Sequence, residues 1–272
     1  ASVSHNEVVN TGTLTGVSGI HLEAYGETSW GAGGSISVID HNRVVNNGKI
    51  NASYDGIYLS ARANNFYASS VITNNTIINN GSIKAGYNGI EVLASSNRVD
   101  GADYVTNNVI TNTGSIIADN MGIVIHSDDF LRDNTINIQG GKVVSTGTYD
   151  GGVTPVAIRM SGYSNGNTNH DYFTNTLNIS APAFIGGHIQ LNGDANVNVN
   201  LTSGASHSDH WTFDTNGDWN PKSVTTSGSV PWFVRDGLPS THSNEFATID
   251  PTAFANAPSQ IADTTRMVSA MN

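Results

Sequence analysis

Cysteine is absent from all 272 residues, so the chain has no disulfide, no thiol nucleophile and no thiolate zinc site. The absence fits an exported bacterial protein as well as a cytosolic one and does not fix the compartment. Charge is also scarce: Asp, Glu, Lys and Arg make up 12%, against roughly 25% in an ordinary soluble domain. Only 11 residues are Lys or Arg while 22 are Asp or Glu, giving a formal net charge of -11. A basic patch able to grip phosphate backbones cannot be built from that supply, which excludes nucleic acid as the partner. No run of about 18 apolar residues is present, so no segment reads as a membrane-spanning helix. No charged stretch leading into an apolar one stands at Ala1, and any export signal is expected to have been removed already. Uncharged polar residues fill the gap, with 34 Asn and 29 Gly set among regularly spaced Val and Ile. That regularity is not the composition of solvating disorder.

The chain repeats itself. Asn6-Glu7-Val8-Val9-Asn10-Thr11-Gly12-Thr13-Leu14 returns as Asn42-Arg43-Val44-Val45-Asn46-Asn47-Gly48-Lys49-Ile50. It returns again over Asn75 to Ile83 and over Asn108 to Ile116. A second block follows each copy: Gly19-Ile20-His21-Leu22, Gly56-Ile57-Tyr58-Leu59, Gly89-Ile90-Glu91-Val92 and Gly122-Ile123-Val124-Ile125. The glycines Gly12, Gly48, Gly81 and Gly114 step by 36, 33 and 33 residues. A period of this size marks units that bury their apolar face only by stacking on one another.

Each unit reads as strand. Its runs are short, β-branched or aliphatic, and bounded by Asn and Gly, and Ile90 and Val92 alternate with Glu91. Helical periodicity is not sustained before about residue 250. Asn and Gly suit the left-handed backbone of corners. Three strands and three corners per unit then make an all-β solenoid, a parallel β-helix of about 33-residue coils. Val44, Ile77 and Ile110 should stack inside it, as should Ile57, Ile90 and Ile123. Asn46, Asn79 and Asn112 should form an amide ladder. The variable stretches (Ala24 to Ile36, Arg62 to Ser70, Ser95 to Tyr104, Ser127 to Leu131) read as loops, where a repeat protein carries its binding surface.

Further units begin at Asn134 and Asn175, with second blocks Val156 to Met160 and His188 to Leu191, and Val197 to Leu201 alternates after them. Six coils at about 4.8 Å give a stacked rod on the order of 30 Å. The organisation expected is β-helix over 1–201 and an irregular C-terminal cap and linker over 202–272, carrying Trp211, Trp219 and Trp232. Trp232-Phe233-Val234-Arg235 reads as a strand and Pro251 to Met271 as helix-compatible. The first repeat starts at Asn6 with no sequence left for a cap, so another molecule or a longer chain is expected to cover that edge.

The pattern Asn-x-x-Ile-x-Asn-x-Gly-x-Ile followed by Gly-Ile-x-Val, over about residues 5 to 200, resembles the passenger domains of bacterial autotransporters (type V secretion). Phe246-Ala247-Thr248-Ile249-Asp250-Pro251-Thr252-Ala253-Phe254 is similar to the segment joining such passengers to the helix that threads their outer-membrane barrel. The resemblance implies an exported, right-handed β-helix at the cell surface or in the medium. It reaches the outer membrane only through a barrel missing from this chain. No single activity is implied, because such passengers include adhesins, self-associating proteins, esterases and proteases.

Several constellations invite chemistry. Ser-His-Asp catalysis needs a strained or exposed Ser beside a base; no Gly-x-Ser-x-Gly occurs, and Ser161-Gly162 and Ser203-Gly204 read as turn dipeptides. Glycoside cleavage needs two carboxyls about 5 to 9.5 Å apart, and Asp128-Asp129, with His126 two positions before, are the catalytic candidates. Adjacent strand residues face opposite ways, so the two acids would cooperate only from a loop. The motifs Asn-Thr-Asp, Gly-His-Gly and Arg-Ile-Lys of polygalacturonase-like enzymes are absent. Asp214, Asn216, Asp218 and Asn220 space four oxygen donors two apart, a partial calcium loop without the acidic twelfth position. His207, Asp209 and His210 offer zinc-type donors. Tyr54, Tyr58, Tyr67, Tyr87 and Tyr104, with Tyr58 facing outward opposite Ile57, have the chemistry of an adaptable ligand-binding surface.

The first expectation is a non-enzymatic surface passenger mediating adhesion or self-association, its partner a glycan or protein on another cell or a second copy of itself. No cofactor is required, and calcium is the ion expected if one binds. The second is a carbohydrate-active enzyme using Asp128 and Asp129. The third is a filament or surface-layer element built by end-to-end stacking through Asn6 to Leu14. A groove holding two facing carboxylates favours the enzyme. A flat polar flank with Tyr and Asn ladders favours adhesion.

Overall fold

The computed structural model describes residues 1–27, 34–64, 67–97, 102–147, 154–162, 175–180, 182–191, 195–201, 210–214, 223–228, 232–236 and 243–248. All regular structure among them is β-strand, arranged in four sheets. The chain visits the first sheet through Ser2–Ser4, the second through Glu7–Asn10, the third through Thr13–Gly16 and the fourth through Ile20–Glu27, and then begins again with Ile36–Asp40. Each strand pairs in parallel with its counterpart in the next repeat: Asn46 with Asn79 and Asn79 with Asn112, Ile57 with Ile90 and Ile90 with Ile123. This is an all-β, parallel arrangement consistent with a parallel β-helix.

A coil therefore has four strands where three were expected. The strands of the additional sheet (Ser2–Ser4, Ile36–Asp40, Ser69–Thr73, Tyr104–Thr106, Phe130–Arg132), Ser2–Ser4 apart, begin within the stretches that read as loops and run on past them. Its inward positions explain the difference. Ser37, Ser70 and Asp103 face the interior beside Ile39, Ile72 and Val105, so hydrophobic alternation is interrupted. Each polar group is bonded at the corner with the fourth sheet. The Ser37 hydroxyl donates to the Arg62 carbonyl at 2.7 Å and that of Ser70 to the Ser95 carbonyl at 2.9 Å. Asp103 accepts the Ser96 hydroxyl at 2.8 Å and the Ser70 N–H at 2.9 Å.

The corner between the first and second sheets shows why each repeat opens on Asn. The residue before it is left-handed in each of the five repeats where it is described: φ is 58° at His5, 52° at His41, 56° at Asn74, 57° at Asn107 and 58° at Asp133. The conformation is costly for a residue with a Cβ, and the following Asn holds it. The Asn75 amide donates to the Thr73 carbonyl at 2.8 Å, to the Ile39 carbonyl one coil back at 3.1 Å, and to Asn108 Oδ1 at 2.9 Å. Asn6, Asn42, Asn75, Asn108, Asn134 and Asn175 form one continuous side-chain ladder. The ladder read from the sequence is also present, through Asn10, Asn46, Asn79 and Asn112 at 2.7–2.8 Å. Both ladders satisfy buried amides without water, as buried polar groups require.

The glycines answer to close approach. A Cβ on Gly81 would lie 2.0 Å from the Gly48 carbonyl oxygen, and one on Gly89 would lie 2.3 Å from Ile116 Cγ2 and 2.4 Å from the Gly122 oxygen. Inside, Ile57, Ile90, Ile123, Ile158 and Ile189 form a fully buried file. Val44, Ile77, Ile110, Ile136 and Leu177 form another. Each such side chain contributes about 1.5–3 kcal/mol of burial.

Parallel stacking continues past residue 202, as His210–Asp214 adds to the fourth sheet and Ser223–Gly228 to the second. The change comes at Ser243–Thr248, which runs antiparallel both to His210–Asp214 and to the expected strand, here Trp232–Asp236. Trp211 joins the core with 1% of its surface exposed, its indole N–H donating to the Ala183 carbonyl at 3.2 Å. Trp219 and the helix-compatible stretch after Pro251 lie outside the described residues. Among the described residues no helix is long and apolar enough to cross a membrane.

Candidate functional site

In a chain so poor in charge, the outer face of the fourth sheet is where ionisable groups gather. Strand alternation places His21, Tyr58, Glu91, Val124, Arg159, Gln190 and Asp214 in one outward file. Glu23, Ser60, Leu93, His126 and Ser161 make the next. Several outward residues are nonetheless buried: Tyr58 is 8% exposed, Ser60 0%, Val124 3% and Ser161 4%. The polar groups buried on this face interact at reduced dielectric.

Tyr58 is thus a correction to the expected recognition surface. It faces outward but stacks on His21, ring centroids 4.8 Å apart, and its hydroxyl accepts a hydrogen bond from the Arg62 guanidinium at 2.7 Å. Burial raises the Tyr58 pKa, and the nearby Glu91 charge adds to the shift.

Beside this pair two carboxyls meet. Asp55 is fully buried at the corner leading into the fourth sheet. Its Oδ1 accepts the Asn88 N–H at 3.1 Å, and its Oδ2 has no amide or hydroxyl donor. The Glu91 carboxyl is its ionisable neighbour. Burial first, and the Glu91 charge second, push the Asp55 pKa up to about 7. Burial also raises that of Glu91, opposed by an Asn88 amide hydrogen bond at 2.8 Å. Sharing one proton is the expected behaviour of two carboxyls confined together. The sequence placed the acid pair at Asp128 and Asp129 instead. Those two have different partners: Asp129 Oδ2 accepts the Asp103 N–H at 2.8 Å, while Asp128 lies 3.2 Å from His126 Nε2.

His126 holds a second contact. Its Nδ1 is 2.8 Å from Ser161 Oγ, and the two residues are direct register partners on neighbouring strands. Ser161 is a strand residue of Val156–Gly162, not part of a turn. The juxtaposition joins residues 35 apart in sequence and has no local signature.

The flanks carry surface ladders. Asn80 donates to Asn47 Oδ1 and Thr113 donates to Asn80 Oδ1, both at 2.8 Å. On the outer face of the second sheet Asn178 donates to Asn137 at 2.7 Å, Asn198 to Asn178 at 2.9 Å and Thr225 to Asn198 at 2.5 Å. Tyr54, 47% exposed, stacks on Tyr87 with centroids 4.6 Å apart and planes within 9°. Tyr104 stacks on Phe130 at 4.8 Å, on the first sheet, and Tyr67 is exposed on its own. The five tyrosines therefore do not make one surface; Tyr54 and Tyr87 are the pair brought together.

Of the calcium candidates, Asn216, Asp218 and Asn220 lie outside the described residues. Both Asp214 oxygens are engaged, by His188 Nδ1 at 2.5 Å and by the Gln190 amide at 2.8 Å. His207 and Asp209 are likewise outside the described residues, as is Ser203-Gly204. Among the described residues no group of three or more His, Asp or Glu is placed to hold a metal ion. Comparison with protein-family models, with curated proteins and with solved structures finds no match for this chain.

Proposed function

We propose that the chain is an exported passenger of the autotransporter kind, a right-handed parallel β-helix at the cell surface or in the medium, acting by adhesion or self-association. The in-register ladders at the surface carry this reading, above all Asn137, Asn178, Asn198 and Thr225 along one sheet face, the first two half-buried and the last two exposed. They repeat at the strand spacing of about 4.8 Å. A second copy of the chain presents the same spacing, so individually weak amide contacts fall into register and sum. The repeats that stack 33 residues apart keep that register over successive coils. A net charge of -11 opposes the approach of two copies, and salt relieves it within a Debye length of about 8 Å at physiological strength.

A glycan on another cell is the second partner class. The flat, exposed Tyr54–Tyr87 stack supports it, because paired aromatic faces offer a rigid apolar platform next to neutral donors. Beads coated with the protein test the homotypic reading. Wild-type beads should aggregate at physiological salt, and beads carrying Asn80→Glu with Asn178→Glu should stay dispersed. Equal aggregation of both would remove the ladders from the account.

A further inference from the structure

The outer face of the fourth sheet holds an arrangement that adhesion does not use. Ser161 Oγ, the His126 ring and the Asp128 carboxylate form one chain of contacts, 2.8 Å at Nδ1 and 3.2 Å at Nε2. Two features make it more than a chance meeting of surface groups. His126 and Ser161 are register partners on adjacent parallel strands, so their Cβ atoms are held at the strand spacing by the backbone ladder itself. Asp128 lies just past the end of the strand Met121–Ser127, with Ser127 turned fully inward between it and His126, and the bend there brings its carboxylate to 3.2 Å from the ring.

We propose that Ser161, His126 and Asp128 form a hydrolytic site for small acyl esters, with Ser161 as nucleophile, His126 as general base and Asp128 as the residue that positions the ring. The tautomer decides whether the arrangement works. A proton on Nε2 donates to Asp128 Oδ1, which leaves the Nδ1 lone pair to accept the Ser161 hydroxyl proton. The roles are those of a Ser-His-Asp triad, which is recognised by geometry and not by sequence order, although here the serine meets Nδ1 and the acid meets Nε2.

In the first step Ser161 Oγ attacks the ester carbonyl carbon as its proton passes to His126 Nδ1. The tetrahedral species collapses, the C–O bond to the alcohol breaks, and the leaving oxygen takes the proton from Nδ1. Water then gives a proton to Nδ1 and its oxygen attacks the acyl carbon. Ser161 Oγ leaves and recovers the proton. Ester and water become carboxylic acid and alcohol, with no metal or redox partner consumed. Ser161 keeps only 4% of its surface exposed, so a substrate must present its carbonyl to a nearly buried serine. That favours a short acyl group, such as an acetyl on a sugar hydroxyl, over a bulky peptide carbonyl.

The full chain should be treated with a fluorophosphonate serine probe and, separately, with p-nitrophenyl acetate. The expected result is one covalent label per chain, mapped to the peptide containing Ser161, and ester turnover above that of heat-unfolded protein. Ser161→Ala should lose both, and His126→Gln should lose turnover. Asp128→Asn should lower turnover at least about tenfold, and its rate should keep rising with hydroxide concentration where the wild type levels off. A purely structural Asp128 would not alter that pH profile. If Ser161→Ala fails to fold, Ser161→Cys replaces it: the thiol should take up iodoacetamide and the fluorophosphonate label should vanish. Absence of labelling in folded wild type, or labelling that survives at another residue when Ser161 is replaced, would overturn the proposal. Both readouts work on a monomer, so they are independent of self-association.

Discussion

The Asp55 carboxyl occupies the corner position that Asn88 occupies one coil later, and it meets the Glu91 side chain there. Asn88 Oδ1 accepts the Met121 N–H at 3.2 Å just as Asp55 Oδ1 accepts the Asn88 N–H at 3.1 Å. The amide of Asn88 has a donor to spend on Glu91. An ionised Asp55 has a second acceptor instead, which is why its Oδ2 has no donor and why the acid holds its proton.

Stability should follow that proton. The Asp55 pKa is raised from 3.8 to about 7, so between those values the folded state binds the proton and the unfolded state has released it. This contribution is fully present below the unfolded pKa and is lost as pH rises to about 7. Thermal melts from pH 4.5 to 8 should therefore show wild type losing stability, by up to a few kcal/mol, relative to Asp55→Asn. The variant supplies the missing donor and should be the more stable protein at pH 8. Parallel curves for the two would mean that Asp55 does not hold its proton.

The buried and exposed ladders should behave differently under the same substitution. Asn79→Ala strands Asn112 Oδ1 and weakens the hold on the Asn46 amide, both in the interior, and should cost about 2–4 kcal/mol. Asn80→Ala breaks contacts of similar length in solvent and should change stability by less than about 0.5 kcal/mol. Urea unfolding of the two variants measures the difference. A small effect at Asn79 would mean that water replaces the ladder.

Much of the fold is legible because each element repeats. Gly81 and Gly89 recur where any side chain would collide with the neighbouring coil, and Ile77 and Ile90 recur where the interior is filled. The ladder through Asn46 and Asn79 follows from the period alone. The strand Ile36–Asp40 and its counterparts are hidden because their inward polar groups are satisfied at a corner, Ser37 and Ser70 by donating to carbonyls and Asp103 by accepting from Ser96 and Ser70, contacts that hydrophobic patterning does not register. The site is harder still. Asp55 meets Glu91, and His126 meets Ser161, through register between coils. A reading confined to neighbours in sequence selects Asp128-Asp129, which the fold gives different partners.

Self-association through the ladders is tested most directly by light scattering over a wide protein concentration range, at low and at physiological salt, with and without calcium. The account predicts a mass that grows reversibly with concentration, grows more readily in salt because the charge of -11 is screened, and stays at that of one chain for Asn80→Glu with Asn178→Glu. A wild-type mass of 28.6 kDa at every concentration and salt would contradict it.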